Sequence, residues 1–325
     1  MKKQIEDDAR RALLHATRGI SSHLSLNDIQ LERNFKLLSK EERISARKGS
    51  DDAPVFLYKY YPPPFKQTGK SSFDADWRAE QNRRLENLII DGKLYLSSRN
   101  QFNDPFDTMP RYTTTPMLST LSALADRSLK KYGTTIQHSQ RKKIKDNLIK
   151  NSNKIFSSLI SAYRDYQAKF GIYCLSETNN SLLMWAHYAL NHTGICIEFD
   201  TSEDFMLAAI LQKVIYTPEN KRPTINITEP SFLSTYEETF LTKSIDWNYE
   251  LEWRLICDGL AGQELTFENS TITKIILGAK AHEETISDIL NLNRKLENKG
   301  FPTLAIHKAE LCDLTYGLKI VPFKT

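Results

Sequence analysis

The chain has 325 residues, 40% of them apolar and 26% charged, with a formal net charge of +4 at pH 7. That is enough apolar material for one large packed core or two ordinary ones, and a charge balance this mild argues against a polycation built as a whole for nucleic acid. No apolar run reaches the length of about 18 residues that a membrane span needs, and the four scattered cysteines form no CxxC pair that would suggest a disulfide framework or a thiolate zinc site.

The start, MKKQIEDDARRALLHATRG, has no apolar stretch of a signal peptide, so a cytoplasmic location without membrane contact is expected. Residues 1–53 read as a charged helical extension, with Leu24, Leu26, Ile29, Leu31, Phe35, Leu37 and Leu38 as its apolar pattern. That stripe would pack on the domain or meet a protein partner. A single α+β domain of catalytic type is expected over 54–325. VFLYKYY at 55–61 reads as a first strand, stopped by Pro62, Pro63 and Pro64, which cannot continue a ladder. WRAEQNRRLENLII at 77–90 has helical spacing and ends at Asp91-Gly92. LYLSS follows as a strand and enters the loop Asn103-Asp104-Pro105-Phe106-Asp107.

From about 116 to 168 the pattern is long, polar and helical, a helical insertion whose basic QRKKIKD run at 140–146 reads as a solvated face. FGIYCLS and GICIEFD read as strands on either side of a short helix around Leu182–Tyr188. KVIYT, LEWRLICD, TKIILG, TLAIHKA and LKIVPF read as further strands, and SFLSTYEETFLTKS and Glu283–Asn298 as helices. Irregular alternation with hairpin-length links predicts an α+β fold, a mostly antiparallel curved sheet with flanking helices.

Four blocks carry a resemblance: LYKYY at 57–61, GKLYLSSRNQFNDPFD at 92–107, IYCLSETNNSLLMWAHYALNHTGICIEFD at 172–200 and WNYELEWRLI at 247–256, continued by KIILG at 274–278. Together they resemble the family catalogued as domain of unknown function 2971, over roughly residues 55–322. That label implies no settled activity, so function has to be read from side chains.

Glu250 and Glu252 are the most chemical pair. On a strand they would point to one face, with Leu251 and Trp253 on the other. Adjacent carboxylates repel, which raises one pKa toward proton transfer or leaves the pair free to hold a substrate hydroxyl. The bland reading is a strand edge on which Glu252 pairs with Lys243 or Arg254.

The order of elements is also similar, at the level of architecture, to that of ADP-ribosyltransferases, which implies a split sheet of their kind. In those enzymes a first strand offers a basic or imidazole residue to the dinucleotide, a following segment holds nicotinamide, and a late strand supplies a catalytic Glu. Carried over here, Lys59 or Tyr60, Ser97 and Ser98, and Glu250 and Glu252 fill those places. No Arg or His stands on the first strand and no Ser-Thr-Ser triplet is present. The resemblance implies NAD as substrate, Glu252 foremost as the carboxylate on the ribose hydroxyl, and a protein or nucleic-acid acceptor of unspecified identity. Tyr60, Trp185 or Tyr188 would stack on a flat ring, with plain core as the competing reading for Trp185. Asn103, Asp104 and Arg254 complete the candidate binding set.

The NDPFD loop has two readings. In one, Asn103 or Asp104 caps a turn and Phe106 anchors it in the core. In the other, Asp104 and Asp107 join Glu250 and Glu252 around a divalent cation, as in a nuclease or phosphodiesterase. His187 and His192 are five apart, which is not the spacing of a helical zinc pair, and no metal is expected in the leading reading. That reading is an enzyme that transfers or hydrolyses ADP-ribose, a toxin or phage-defence effector in a prokaryote. The alternatives are the metal-dependent nuclease and a non-catalytic nucleotide-binding module.

Overall fold

The computed structural model describes residues 34–47, 54–66, 74–113, 126, 140, 142–143, 146–147, 150–204, 207–208, 211–218, 221–226 and 236–324. The helical pattern expected before residue 34, and much of the insertion expected from about 116, lie outside these. In chain order the principal elements are α1 (Lys40–Arg47), β1 (Phe56–Tyr61), α2 (Ala75–Ile89), β2 (Lys93–Tyr95), β3 (Arg111–Thr113), α3 (Ser152–Gln167), β4 (Gly171–Ser176), α4 (Leu182–Tyr188) and β5 (Ile195–Asp200). They continue with β6 (Gln212–Lys213), β7 (Ile215–Thr217), β8 (Thr224–Asn226), α5 (Tyr236–Phe240), β9 (Thr242–Ser244), β10 (Glu252–Cys257), β11 (Glu264–Thr266), β12 (Ile272–Leu277), α6 (Glu283–Asn298), β13 (Ala305–Leu311) and β14 (Leu318–Pro322).

Two compact units result, one from residues 1–98, 171–214 and 246–325, the other from 99–170 and 215–245. The first is built on an eight-stranded open sheet in the order β14-β13-β12-β5-β1-β4-β10-β6. Its neighbours run antiparallel except β12 and β13, which are parallel because α6 carries the chain back between them. The expected α+β class with a mostly antiparallel sheet is borne out.

Strand alternation divides the sheet into two unlike faces. Leu57, Tyr173, Leu175, Ile197, Phe199, Trp253, Leu255 and Ile275 pack on one face against Leu85, Leu88 and Ile89 of α2 and Ile289, Leu292 and Leu296 of α6. Asp74 starts α2 by accepting the Trp77 amide at 2.9 Å, and Arg78 ties α2 to α6 through both oxygens of Asp288 at 2.7 and 2.8 Å. Phe35 and Leu38 join this core, so the end of the N-terminal extension does pack on the unit. On the opposite face lie Tyr60, Cys196, Ile276, Ala309 and Leu318, under Met184, Trp185 and Ala189 from α4 and its end.

The second unit holds two short parallel pairs, β3 with β8 and β7 with β9, and a small core in which Phe156 of α3 meets Ile225 beside Tyr112, Ile160 and Tyr163. Local pattern fails in three places. KVIYT is not one strand, because Gln212–Lys213 adds to the large sheet while Ile215–Thr217 pairs with β9. The helix read over SFLSTYEETFLTKS ends with α5 at Phe240, because Thr242–Ser244 is strand β9, and its first five residues lie outside the described ones. LYLSS gives only β2, with Ser97 forming an isolated bridge to Ile172. Among the described residues no helix is long and apolar enough to cross a membrane.

Candidate functional site

The face of the sheet under α4 carries a row of polar side chains. Pairing register sets Lys274 opposite Glu198, Glu198 opposite Tyr58, Tyr58 opposite Ser176 and Ser176 opposite Glu252, so five adjacent strands each contribute one residue. The Tyr58 hydroxyl donates to Glu198 Oε2 at 3.2 Å, Lys274 Nζ donates to the same oxygen at 2.7 Å, and Thr273 donates to Oε1 at 2.8 Å. Burial, with the Glu198 carboxylate second, pushes the Tyr58 phenol well above its ordinary range.

Glu252 closes the row. It is buried, and Arg254, fully buried two residues along the same face of β10, grips it through Nε to Oε1 at 2.8 Å and Nη2 to Oε2 at 2.9 Å. Glu250 is also buried but does not stand on the strand. It ends the 3-10 turn Ile245–Glu250, and Leu251 then takes a left-handed φ of 45° before β10 begins. The i, i+2 argument for a shared strand face is therefore corrected: a kink separates the two carboxylates in the chain. Tyr188 of α4 donates its hydroxyl to Glu250 Oε1, and Ser176 Oγ donates to the Glu250 carbonyl at 2.6 Å. Glu252 takes Arg254, one of the two partners foreseen for it, and Lys243 sits 3.5 Å from Asp107 within the second unit.

Half-buried and exposed rings adjoin Glu250. The Tyr249 ring lies 6.0 Å from the Trp247 ring and 6.0 Å from that of His187, which is exposed at the end of α4. Ser181 caps that short helix by accepting the Met184 amide. After it, Leu190, Asn191 and His192 run with φ of 44°, 55° and 69°, a left-handed stretch without glycine that costs backbone energy and marks the segment as over-determined by its surroundings.

Other nominated residues fall elsewhere. Lys59 shares the face of Leu57 and Tyr61: its Nζ donates to the Cys174 carbonyl at 2.8 Å and lies 4.8 Å over the Tyr173 ring, away from Glu252. Tyr60 is buried, its hydroxyl donating to the Thr178 carbonyl at 2.8 Å and its ring edge-on to Trp185 at 5.2 Å. Trp185 has no exposed surface and donates Nε1 to the Asn179 carbonyl at 2.8 Å, which makes it core. Ser97 meets Ile172 through its backbone, and Ser98 beside it is half-buried.

Asn103, Asp104 and Asp107 lie in the second unit. There Asp104 accepts the Phe106 amide at 2.8 Å, the turn-capping role expected of it. Phe106 does not anchor the turn in the core. It is exposed, with the Arg222 guanidinium 5.1 Å from its ring centre, because Asp104 and Asp107 take the buried positions. Among the described residues no three His, Cys, Asp or Glu side chains are grouped to hold a metal ion, so the four-carboxylate reading gains no support.

Tyr58, Glu198, Lys274 and Ser176 were absent from the sequence-derived candidates. The signal was present in ICIEFD, where two acids, Glu198 and Asp200, stand in an otherwise apolar, fully buried strand and so require partners. No curated protein and no solved structure matches the chain. Residues 184–255, from Met184 in α4 to Leu255 in β10, match the model of the family described as protein of unknown function DUF2971, which bears out over that segment the resemblance carried by MWAHY and ELEWR.

Proposed function

We propose that the first unit binds a nucleotide-class ligand, NAD foremost, beside Glu250 and Glu252, and transfers or hydrolyses its ADP-ribose. The observation that carries this reading is the fixed orientation of two buried carboxylates two residues apart in the chain, Glu250 by Tyr188 and Glu252 by Arg254, with the Tyr249 ring between those of Trp247 and His187. As the ribose–nicotinamide bond breaks, its electron pair leaves with nicotinamide and positive charge develops on the sugar. A preoriented carboxylate stabilises that charge, and water or an acceptor nucleophile completes the exchange. The aromatic rings offer π-faces to a flat heterocycle. Arg254, fully buried, positions Glu252 and does not itself meet the ligand.

In a prokaryotic cell such an activity would suit a toxin or phage-defence effector, with a protein or nucleic acid as acceptor. The test is incubation of purified protein with NAD labelled in its ADP-ribose part, in the presence of candidate acceptors. Nicotinamide release or a labelled product is expected, and either Glu250→Gln or Glu252→Gln lowers it at least a hundredfold. A wild-type protein that yields neither product under any acceptor condition overturns the catalytic reading.

One observation favours a second reading, a non-catalytic binding module: both carboxylates are buried and Glu252 is held on both oxygens by a cation. Calorimetry with NAD beside the turnover assay separates the two, since the module binds without nicotinamide release.

A further inference from the structure

The modest positive charge of the chain is unevenly distributed. Of its 44 Lys and Arg and 40 Asp and Glu, the second unit holds 16 and 9, a net of +7 in less than a third of the length, while the first holds 28 and 31, a net of −3. The excess is concentrated in residues 140–169, where eight basic side chains stand against Asp146 and Asp165. A base paired with a carboxylate adds little to the field outside a protein, and in the first unit such pairing is common: Lys36, Lys40, Arg43, Arg78, Lys274 and Lys295 all meet carboxylates. The second unit differs. Lys142, Lys143, Lys150, Lys154 and Lys169 are exposed, and among the described residues none of them pairs with a carboxylate. Helical backbone lines them up. Residues 142–143, 146–147 and 150 are helical, the Asn151 amide donates to the Asn147 carbonyl at 3.0 Å, and α3 continues from Ser152. Spacing of i, i+4, i+7, i+11 and i+18 sets Lys143, Asn147, Lys150, Lys154 and Ser161 along one exposed side, while Phe156, Ile160 and Tyr163 turn to the unit's small core. At 1.5 Å per residue the stripe is about 27 Å long.

We propose that this stripe binds the phosphodiester backbone of a nucleic-acid duplex without reading its sequence. The proposal is independent of the chemistry assigned to Glu250 and Glu252, and its test reads binding alone. Lysine ammonium groups meet phosphates as point charges, and Asn147 and Ser161 add neutral donors of the kind that contact a phosphate backbone. Composition of the stripe narrows the partner. None of its five residues is aromatic, so it offers no platform on which the bases of a single strand could stack, and none is apolar, so it has no face to bury in a lipid bilayer. Charges repeated along a straight helix match a polymer whose phosphates repeat, which an acidic protein surface does not provide.

Fluorescence anisotropy of the full chain against a labelled DNA duplex, an RNA duplex of the same sequence, the single strand and polyglutamate decides the matter. The expected result is binding to duplex that weakens steeply as salt rises from about 50 to 200 mM. The triple variant Lys143→Ala, Lys150→Ala, Lys154→Ala binds at least about tenfold more weakly, and its log-affinity against log-salt slope is shallower by about two to three, near one for each lost phosphate contact. Lys299→Ala, Lys319→Ala, Lys324→Ala removes the same charge from exposed positions of the first unit and binds within about twofold of the wild type. Thermal melts confirm that both variants are folded. The proposal is overturned if neither duplex binds, if the single strand or polyglutamate binds as tightly as duplex, or if the two triple variants lose affinity equally.

Discussion

Arg254 grips both oxygens of Glu252 from two residues along the same strand, at 2.8 and 2.9 Å, and neither residue has more than a few per cent of its surface exposed. A buried pair of this geometry is dangerous to break from one side. Arg254→Met removes the guanidinium from a buried carboxylate, and the expected cost is about 3–5 kcal/mol. Glu252→Gln with Arg254→Met removes both charges and recovers part of it. Urea denaturation of the single and double variants measures the difference, and equal losses in the two would show that the pair does not act as a unit.

The loop between α4 and β5 is held by glycines that other residues cannot replace. A Cβ on Gly278 would stand 2.2 Å from the His192 carbonyl oxygen, and one on Gly194 2.1 Å from the Tyr61 carbonyl oxygen, both backbone atoms unable to move alone. Gly278→Ala is therefore expected to cost about 3 kcal/mol or more. Gly259→Ala is the control: nothing lies within 4 Å of its added Cβ, and only its φ of 75° is unfavourable, at about 1 kcal/mol. Melting temperatures of the two variants rank them, and a Gly259→Ala protein as unstable as Gly278→Ala would refute the close-approach argument.

What local pattern specified, the structure contains: FLYKYY, the helix ending near Ile89, EWRLIC and the helix Glu283–Asn298 all form where period-2 or period-3.6 apolar spacing placed them. The features that shape the candidate site have no local signature. Leu251 is left-handed although leucine disfavours that region, because the 3-10 turn before it and the ladder after it set its φ between them. The bulge that doubles Thr273 and Lys274 against Glu198 depends on a partner strand about 75 residues away in sequence. Lys59 and Tyr60 looked equivalent as neighbours in one motif, yet strand alternation puts them on opposite faces, which separates Lys59 from the carboxylates it was grouped with.

The four free cysteines should react very unequally. Burial pushes the Cys196 thiol far up, burial and then the Glu252 carboxylate push Cys174 up, and burial alone moves Cys257 to about 11. Cys312 is half-exposed in the turn between β13 and β14. At pH 8 a disulfide-exchange reagent is expected to titrate one thiol quickly in the folded protein and four after unfolding. Rapid reaction of Cys174 in the folded state would mean that the Glu252 region opens readily, and a Cys174→Ser variant identifies it.

Stability is expected to fall on mild acidification through two histidines. Burial, then Lys280, lowers the His192 pKa, and burial, then Lys274, lowers that of His307 against a smaller opposing effect of Glu198. In the unfolded chain both titrate near pH 6.5. Below that value the unfolded chain therefore takes up more protons than the folded one, so this contribution is fully present above about pH 6.5 and is lost as pH drops through the lower folded values. His192→Asn suits the left-handed backbone at that position, and His307→Phe removes the second group without adding a charge. Urea unfolding at pH 7.5, 6.5 and 5.5 should show the wild type losing stability across the last interval and the double variant losing less. Identical slopes in the two proteins would assign the acid sensitivity to carboxylates, whose protonation begins lower on the pH scale, and would remove the basis for treating His307 as a neutral ring.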